Sequence, residues 1–449
     1  MIPRSSLHFA LLLAAVALPA SAAVIGINPP AQPLTMERIA DLPAELRGPW
    51  MDYLSRSNVR RAADHAFVAA ELKAAGRVRP VVPREGRGGM PLNQPADWYG
   101  KAEARKTADV IISYQTPNGG WSKNLNMRDQ VRQPGEGFIA DNASPVKPVP
   151  GDFGTSNEPH WNYFGTLDND ATTTQLRFLA RVITAIGPDR GAAYRASFLR
   201  GIDYLFAAQF PNGGWPQVWP LQGGYHDGVT YNDDAVVQAL EVLQGVADGT
   251  GIYAFTPPEL RPLAARRVAR GVACILKSQI VTDGRTTVWC QQHDPLTLKP
   301  ASARNYEPPV QCTGESSGIV TFLMSLPNPS PRVVASVHAA AAWFKKVAIH
   351  DQVWSRRKFG GGGGAPGPRP APGITHLLPQ PGAPRLWARY YETGTDRPVF
   401  GDRDKTIHDR IEEISVERQN GYQWFNSEAE EMLATYATWS VAHPPAVSQ

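Results

Sequence analysis

Gln115-Thr116-Pro117-Asn118-Gly119-Gly120-Trp121 returns as Gln209-Phe210-Pro211-Asn212-Gly213-Gly214-Trp215, 94 residues further on. Each copy directly follows a stretch with apolar residues at helical spacing. Proline ends a helix, Asn-Gly-Gly makes a tight turn with positive φ, and the Trp folds back as a large apolar plug. Weaker echoes run from Ser278-Gln279 to Trp289, and through Asn420-Gly421-Tyr422-Gln423-Trp424. Helix–turn–Trp units suit helical hairpins arranged in a toroid. The Trp side chains read either as packing plugs or as ligand platforms, and packing is the default for so large an apolar group.

Working outward, helical periodicity predicts helices over 58–75, 98–114, 172–186, 192–208, 233–247, 262–279, 316–325, 331–349 and 427–440. Strand-like alternation is scarce, so the expected class is mainly α. The 449 residues include 40 Gly, 41 Pro and 12 Trp, with 42% apolar and 19% charged. That apolar share excludes a disordered chain, and the lack of a glycine period excludes collagen. Residues 360–384 hold 8 Gly and 7 Pro, including Gly360 to Gly364 in a row. The composition predicts a flexible insertion over 357–384 rather than a domain linker.

At the N-terminus, Arg4 precedes the apolar run Phe9 to Leu18, then Pro19 and the small-residue site Ala20-Ser21-Ala22. This predicts a signal peptide over 1–22, too short to span a bilayer stably, with an uncleaved anchor as the alternative. A Pro-rich, extended leader is expected over 23–45 and one domain over 46–449. The product would be secreted or periplasmic, monomeric, and free of the membrane after cleavage. The net charge of +4 comes without a Lys/Arg run, which argues against nucleic acid and is compatible with a polyanionic ligand. Cys274, Cys290 and Cys312 have no metal-site spacing; they read as one disulfide, Cys290 with Cys312, or as buried thiols.

Polar clusters lie between the helices. Thr166-Leu167-Asp168-Asn169-Asp170-Ala171-Thr172 opens one helix, and His226-Asp227 with Tyr231-Asn232-Asp233-Asp234 opens another. They read as helix caps or, if the helix starts meet, as hard oxygen ligands for Ca²⁺ from separate segments. Arg304, in Ala303-Arg304-Asn305-Tyr306-Glu307, and Arg389 and Arg403 sit among aromatic and acidic residues. They read as ordinary ion pairs, or as forks for carboxylate ligands.

The order NGGW, DNDATTTQLRFLARV, PNGGWPQVWP, GGYHDGVTYNDDA, ARNYE, WARYYE, RPVFGDRD and NGYQWF resembles the pectate lyases of polysaccharide lyase family ten, over roughly residues 95–440. The resemblance implies an incomplete α/α toroid, an (α/α)3 barrel with long irregular loops. It also implies Ca²⁺-dependent β-elimination of polygalacturonate to unsaturated oligogalacturonides. Carried over by position, Asp233 and Asp168 would hold calcium, and Asp168, Asn169, Arg389 and Arg403 would bind substrate. Arg304 falls at the catalytic base. Lys123, after the first repeat Trp, is a candidate groove residue. An arginine base needs its high pKa lowered, which predicts an alkaline optimum. Two other readings compete: an α/α-toroid glycoside hydrolase with paired carboxylates drawn from Asp168, Asp170, Asp233 and Asp234, and a non-catalytic polyuronate-binding protein.

Overall fold

The computed structural model describes residues 23–86, 90–128, 130–140, 151–154, 158, 161–354 and 377–445. The expected signal peptide lies outside them. Among the described residues the chain is mainly α. The helices are α1 (Met36–Ala40), α2 (Ala44–Ala74), α3 (Ala102–Ser113), α4 (Thr173–Ile186), α5 (Ala192–Ala208), α6 (Ala235–Asp248), α7 (Leu260–Ser278), α8 (Thr313–Ser325), α9 (Pro331–Lys346), α10 (Val416–Gly421) and α11 (Glu428–Ala442). Short antiparallel strands tie the intervening loops together. Helices α4, α6, α8 and α11 contact one another in succession, and α5, α7 and α9 pack against α4, α6 and α8 respectively.

Two expected boundaries move. The leader is not uniformly extended: Gly26–Ile27 is a strand paired with 406–407, and α1 starts at a Thr35 cap, whose hydroxyl accepts from Arg38 N at 3.3 Å. Helix α2 begins at Ala44, well before residue 58, because Trp50, Tyr53, Leu54, Ser57 and Asp64 form one buried stripe. Packing of that stripe outweighs the helix-breaking tendency of Pro49. The expected insertion lies outside the described residues up to 376, but its end is ordered: Leu377–Pro379 pairs with Gln352–Trp354. All three cysteines are free and buried, so the disulfide reading falls and the thiol reading stands.

The repeat Trp residues are plugs, and Trp387, outside the repeats, is a fifth. Trp121, Trp215, Trp289, Trp387 and Trp424 are fully buried. Each indole Nε1 donates to a carbonyl in the last turn of the preceding helix: Ile111, Leu205, Ile275, Phe344 and Arg418, at 2.7–2.8 Å. Those carbonyls belong to turns that lack a full set of intrahelical partners. One side chain thus fills the core and caps a helix end. At Gly213, φ is +100° and a Cβ would lie 2.1 Å from Arg270 O, so only glycine fits this turn against α7.

Candidate active site

The turn after each plug aims a side chain at one place. Thr166 N, Thr230 N and Cys312 N donate to the carbonyls of Trp121, Trp215 and Trp289 at 2.8–3.0 Å. One residue further on, Leu167 N, Tyr231 N and Thr313 N donate to the carbonyls of Gln217, Gln291 and Arg389 at 2.9–3.0 Å. Each plug segment is therefore sewn to the segment that enters the next inner helix. Residues two apart on extended backbone share a face. Accordingly Lys123, Gln217, Gln291 and Arg389, each two residues after a plug, all line one cavity of about 210 Å³. The facing groups come from helix starts. Asp168 precedes α4, Asp233 precedes α6, and Glu315 lies in the first turn of α8, where helix dipoles favour anions.

The capping reading of the acidic clusters fails. Neither Thr172 of α4 nor Asp234 of α6, the N-cap residues, makes a side-chain cap bond. Instead Asn169, Asp170, Asp233 and Asp234 hold φ between +50° and +61°. Such backbone costs about 1 kcal/mol or more per residue and gathers at functional sites. Asp168 and Asn232 occupy matching places in the two turns, as do Asn169 and Asp233.

The structure brings Lys123, Asp168, Asn169, Asp233, Arg304 and Arg389 together around the small cavity. Asp168 is buried; it pairs with Lys123 and accepts from Gln217 Nε2 at 2.6 Å and Asn232 Nδ2 at 2.9 Å. Burial pushes its carboxyl up, but Lys123 above all, with Asp233 and Arg304, outweighs that and holds it below the ordinary value. Asp233 has the opposite fate. Desolvation, then the charge of Asp168, pushes its carboxyl up to about 8, although it keeps a solvent-facing surface in the recess. From Asp168 a hydrogen-bond chain runs through Asn232, Gln291, Tyr390, Tyr422 and Glu307 to Arg304. Glu307 grips Arg304 twice, at Nε (2.9 Å) and Nη2 (2.5 Å). Burial opposes the charge on Arg304, and Glu307 more than offsets it, so its pKa rises. Arg389 donates to Glu315 Oε1 at 2.6 Å and lies 4.7 Å from the Tyr422 ring centre; Arg304 lies 5.8 Å from the same centre.

Arg403 stands apart. It does not line the small cavity and pairs with Glu417 at 2.8 Å in a half-exposed position. It reaches the site through Tyr306, whose ring centre lies 5.5 Å from Arg403, 5.0 Å from Arg304 and 4.4 Å from Arg418. His226 and Asp227 lie outside the small cavity's lining; Asp227 closes its own loop by accepting from Gln222 N and Gly223 N. A second cavity of about 650 Å³ shares Lys123, Asn169 and Asp233 with the first and extends past Asp170, Asp234 and Gln238. Together they form a continuous polar groove. Gln217, Gln291, Tyr163 and Tyr225 were not singled out in the sequence, and Tyr422 stood there only in a repeat echo. The position two after each plug would have found the two glutamines; the tyrosines carry no such signal.

Among the described residues no three His, Cys, Asp or Glu side chains gather to cage a metal alone. The donor set nevertheless suits a hard cation: the Asp168 and Asp233 carboxyls crowd together, with burial and the charge of Asp168 pushing Asp233 up.

A groove lined by carboxylates, amides and arginines on a mainly α scaffold suits a polyanionic ligand, and the comparisons with known proteins place the chain among the polysaccharide lyases. The chain belongs to the pectic acid lyase family, whose profile matches residues 115–433. A solved family 10 polysaccharide lyase from Cellvibrio cellulosa is 29% identical, covers 79% of this chain and 99% of its own, and superimposes with a TM-score of 0.62. An Asp-to-Ala mutant of a family 10 lyase from the same organism, solved in complex with trigalacturonic acid, is 28% identical with a TM-score of 0.61. That alignment covers 80% of this chain and 100% of the other. No curated protein matches the chain.

Proposed function

We propose that this pectate lyase cleaves polygalacturonate by calcium-dependent β-elimination and releases unsaturated oligogalacturonides. The carrying observation is that the Asp168–Asp233 carboxyl pair and Arg304 meet in one small polar cavity, joined by a single hydrogen-bond chain. The trigalacturonic acid complex of the Cellvibrio relative supports a uronate ligand. Asp233 and Asp168 would hold Ca²⁺ together with substrate carboxylates, since two protein carboxylates leave most of its six to eight oxygen positions open. Bound there, calcium would withdraw charge from the uronate carboxylate and make the C5 proton more acidic.

The protein's own groups do the rest. Arg389, Arg403 and Lys123 bind uronate carboxylates, and Asn169 donates to the sugar. Arg304 removes the C5 proton, the released electron pair forms the C4–C5 double bond, and the C4 oxygen leaves and takes a proton from water. Arg304 must first lose its own proton. Nearby cations, Arg389 among them, favour the neutral form, while the Glu307 pair opposes it, so turnover rises toward alkaline pH. The pectic acid lyase family match over residues 115–433 weighs against the hydrolase reading. The succession of helix contacts supports an (α/α)3 incomplete toroid, and the apolar run Phe9 to Leu18 with its small-residue site supports secretion or periplasmic export.

The test is the ultraviolet absorbance of the C4–C5 double bond formed on polygalacturonate, with and without chelator. The reading expects a calcium-dependent signal that Arg304→Ala abolishes while pectate still binds. Activity near wild type in Arg304→Ala rejects the base assignment.

A further inference from the structure

The loop that carries Arg304 belongs to no helix. Its internal bonds all join Glu307 to Ala303 and Arg304: Glu307 N donates to Arg304 O at 2.9 Å, Ala303 N to Glu307 O at 3.1 Å, and Glu307 accepts from Arg304 N and its guanidinium. These bonds close the loop on itself; its attachment to the rest of the protein comes in part from far away in sequence. Asn28 donates from its side-chain amide to Arg304 O at 3.1 Å and to Asn305 O at 2.9 Å. Asn28 is 1% exposed, so these bonds do not compete with water. Its backbone is anchored in turn: Ile25 N donates to Ile407 O and Asn28 N to Lys405 O, both at 2.8 Å, flanking the paired strand Gly26–Ile27. Asn305 carries the connection onward by donating to Arg403 O at 2.7 Å. The leader thus ties the Arg304 loop to the Arg403 loop, and it lies outside the matched residues 115–433.

We infer that Asn28 is a positioning residue for the elimination, acting through Arg304; this rests on the reading of Arg304 as the base. The chemistry is specific. Two carbonyl oxygens converge on one NH₂ group, which has two hydrogens to give. Asp has the same shape but would set a carboxylate oxygen against both carbonyls. Asn28→Asp therefore reverses the interaction without changing volume, and the Arg304 loop swings away from its productive place. Asn28→Ser keeps one donor and gives a milder defect. Ile27→Thr, on the exposed side of the same strand, controls for disturbance of the leader.

The experiment compares these variants with Arg304→Ala on polygalacturonate with calcium, and follows amide hydrogen exchange across 300–310. Asn28→Asp is expected to lower kcat by about tenfold to a hundredfold, the penalty for small misplacements of a reacting group, with KM changed less than threefold. Exchange across 300–310 should quicken while α6 and α7 stay protected. The Ser variant should fall between, and Ile27→Thr should match wild type. If Asn28→Asp is unfolded at the assay temperature, the Ser variant decides by the same two readouts. A folded variant with wild-type kcat, or with unchanged exchange across 300–310, overturns the inference. Activity in Arg304→Ala would instead overturn the base reading.

Discussion

Replacing Glu307 by Gln tests how Arg304 is tuned. Glu307 is 2% exposed, and burial alone would raise its carboxyl; the Arg304 fork instead pulls it from 4.5 to about 2. At about 1.4 kcal/mol per pH unit, that drop amounts to about 3 kcal/mol. Arg304 keeps 41% of its side chain exposed, so solvent screening brings the working figure nearer 2 kcal/mol. A carboxyl with a depressed pKa stabilises the fold fully above its unfolded value. In wild type this contribution is present above pH 4.5 and is lost as the pH falls toward 2. Glu307→Gln removes it at neutral pH, so urea unfolding should show a loss of about 2 kcal/mol, and less of a loss in acid. The same interaction holds the proton on Arg304, so removing it should lower the pKa of Arg304. The alkaline rise of kcat should therefore move to lower pH in the ultraviolet assay. An unmoved pH profile in a folded variant that has lost about 2 kcal/mol would refute the claim that Glu307 restrains the base.

Asp233→Asn should cut calcium-stimulated turnover by about a hundredfold or more, and isothermal titration should show weaker calcium binding in the presence of pectate; equal binding would exclude Asp233 as a ligand. Arg389→Lys keeps the charge but loses the planar guanidinium whose Nη2 donates to Glu315, so KM should rise several-fold; an unchanged KM counts against a role in substrate binding. Gly213→Ala should lower stability by about 2 kcal/mol or more in thermal melts, because a Cβ there meets Arg270 O at 2.1 Å at positive φ. Gly48→Ala, in α2 with nothing within 4 Å of the added Cβ, should instead stabilise by about 0.5–1 kcal/mol, and a loss there would contradict the open surface.

The helices were legible because each buries one stripe, and burial at a period of 3.6 leaves its mark on composition. The expected 192–208 coincides with α5, and 172–186 differs from α4 by one residue. The leader was misread because its structure is borrowed: Gly26–Ile27 is a strand only through its pairing with 406–407. Helix α2 likewise depends on the surface it covers, including Tyr53 donating to Ala208 O at 2.8 Å. Asp168, Asp233, Arg304 and Arg389 could be picked out because charges beside helix starts and aromatic residues stand out locally. Gln217 and Gln291 offered only their place two residues after a plug, because an amide declares a role only through the partner it meets.

Local rules thus determined the mainly α class, the repeated PNGGW turns and the charged candidates. Proline, glycine and Trp each impose their geometry on the few residues around them, whatever the rest of the chain does. Tertiary structure decided which charges face each other. Lys123 holds the Asp168 carboxyl down, whereas desolvation and then the charge of Asp168 push Asp233 up. Arg304 is held in a charged fork by Glu307, three residues away, but its loop is aimed by Asn28, distant in sequence. Electrostatic energy depends on distance and burial, and neither is defined until the chain has folded.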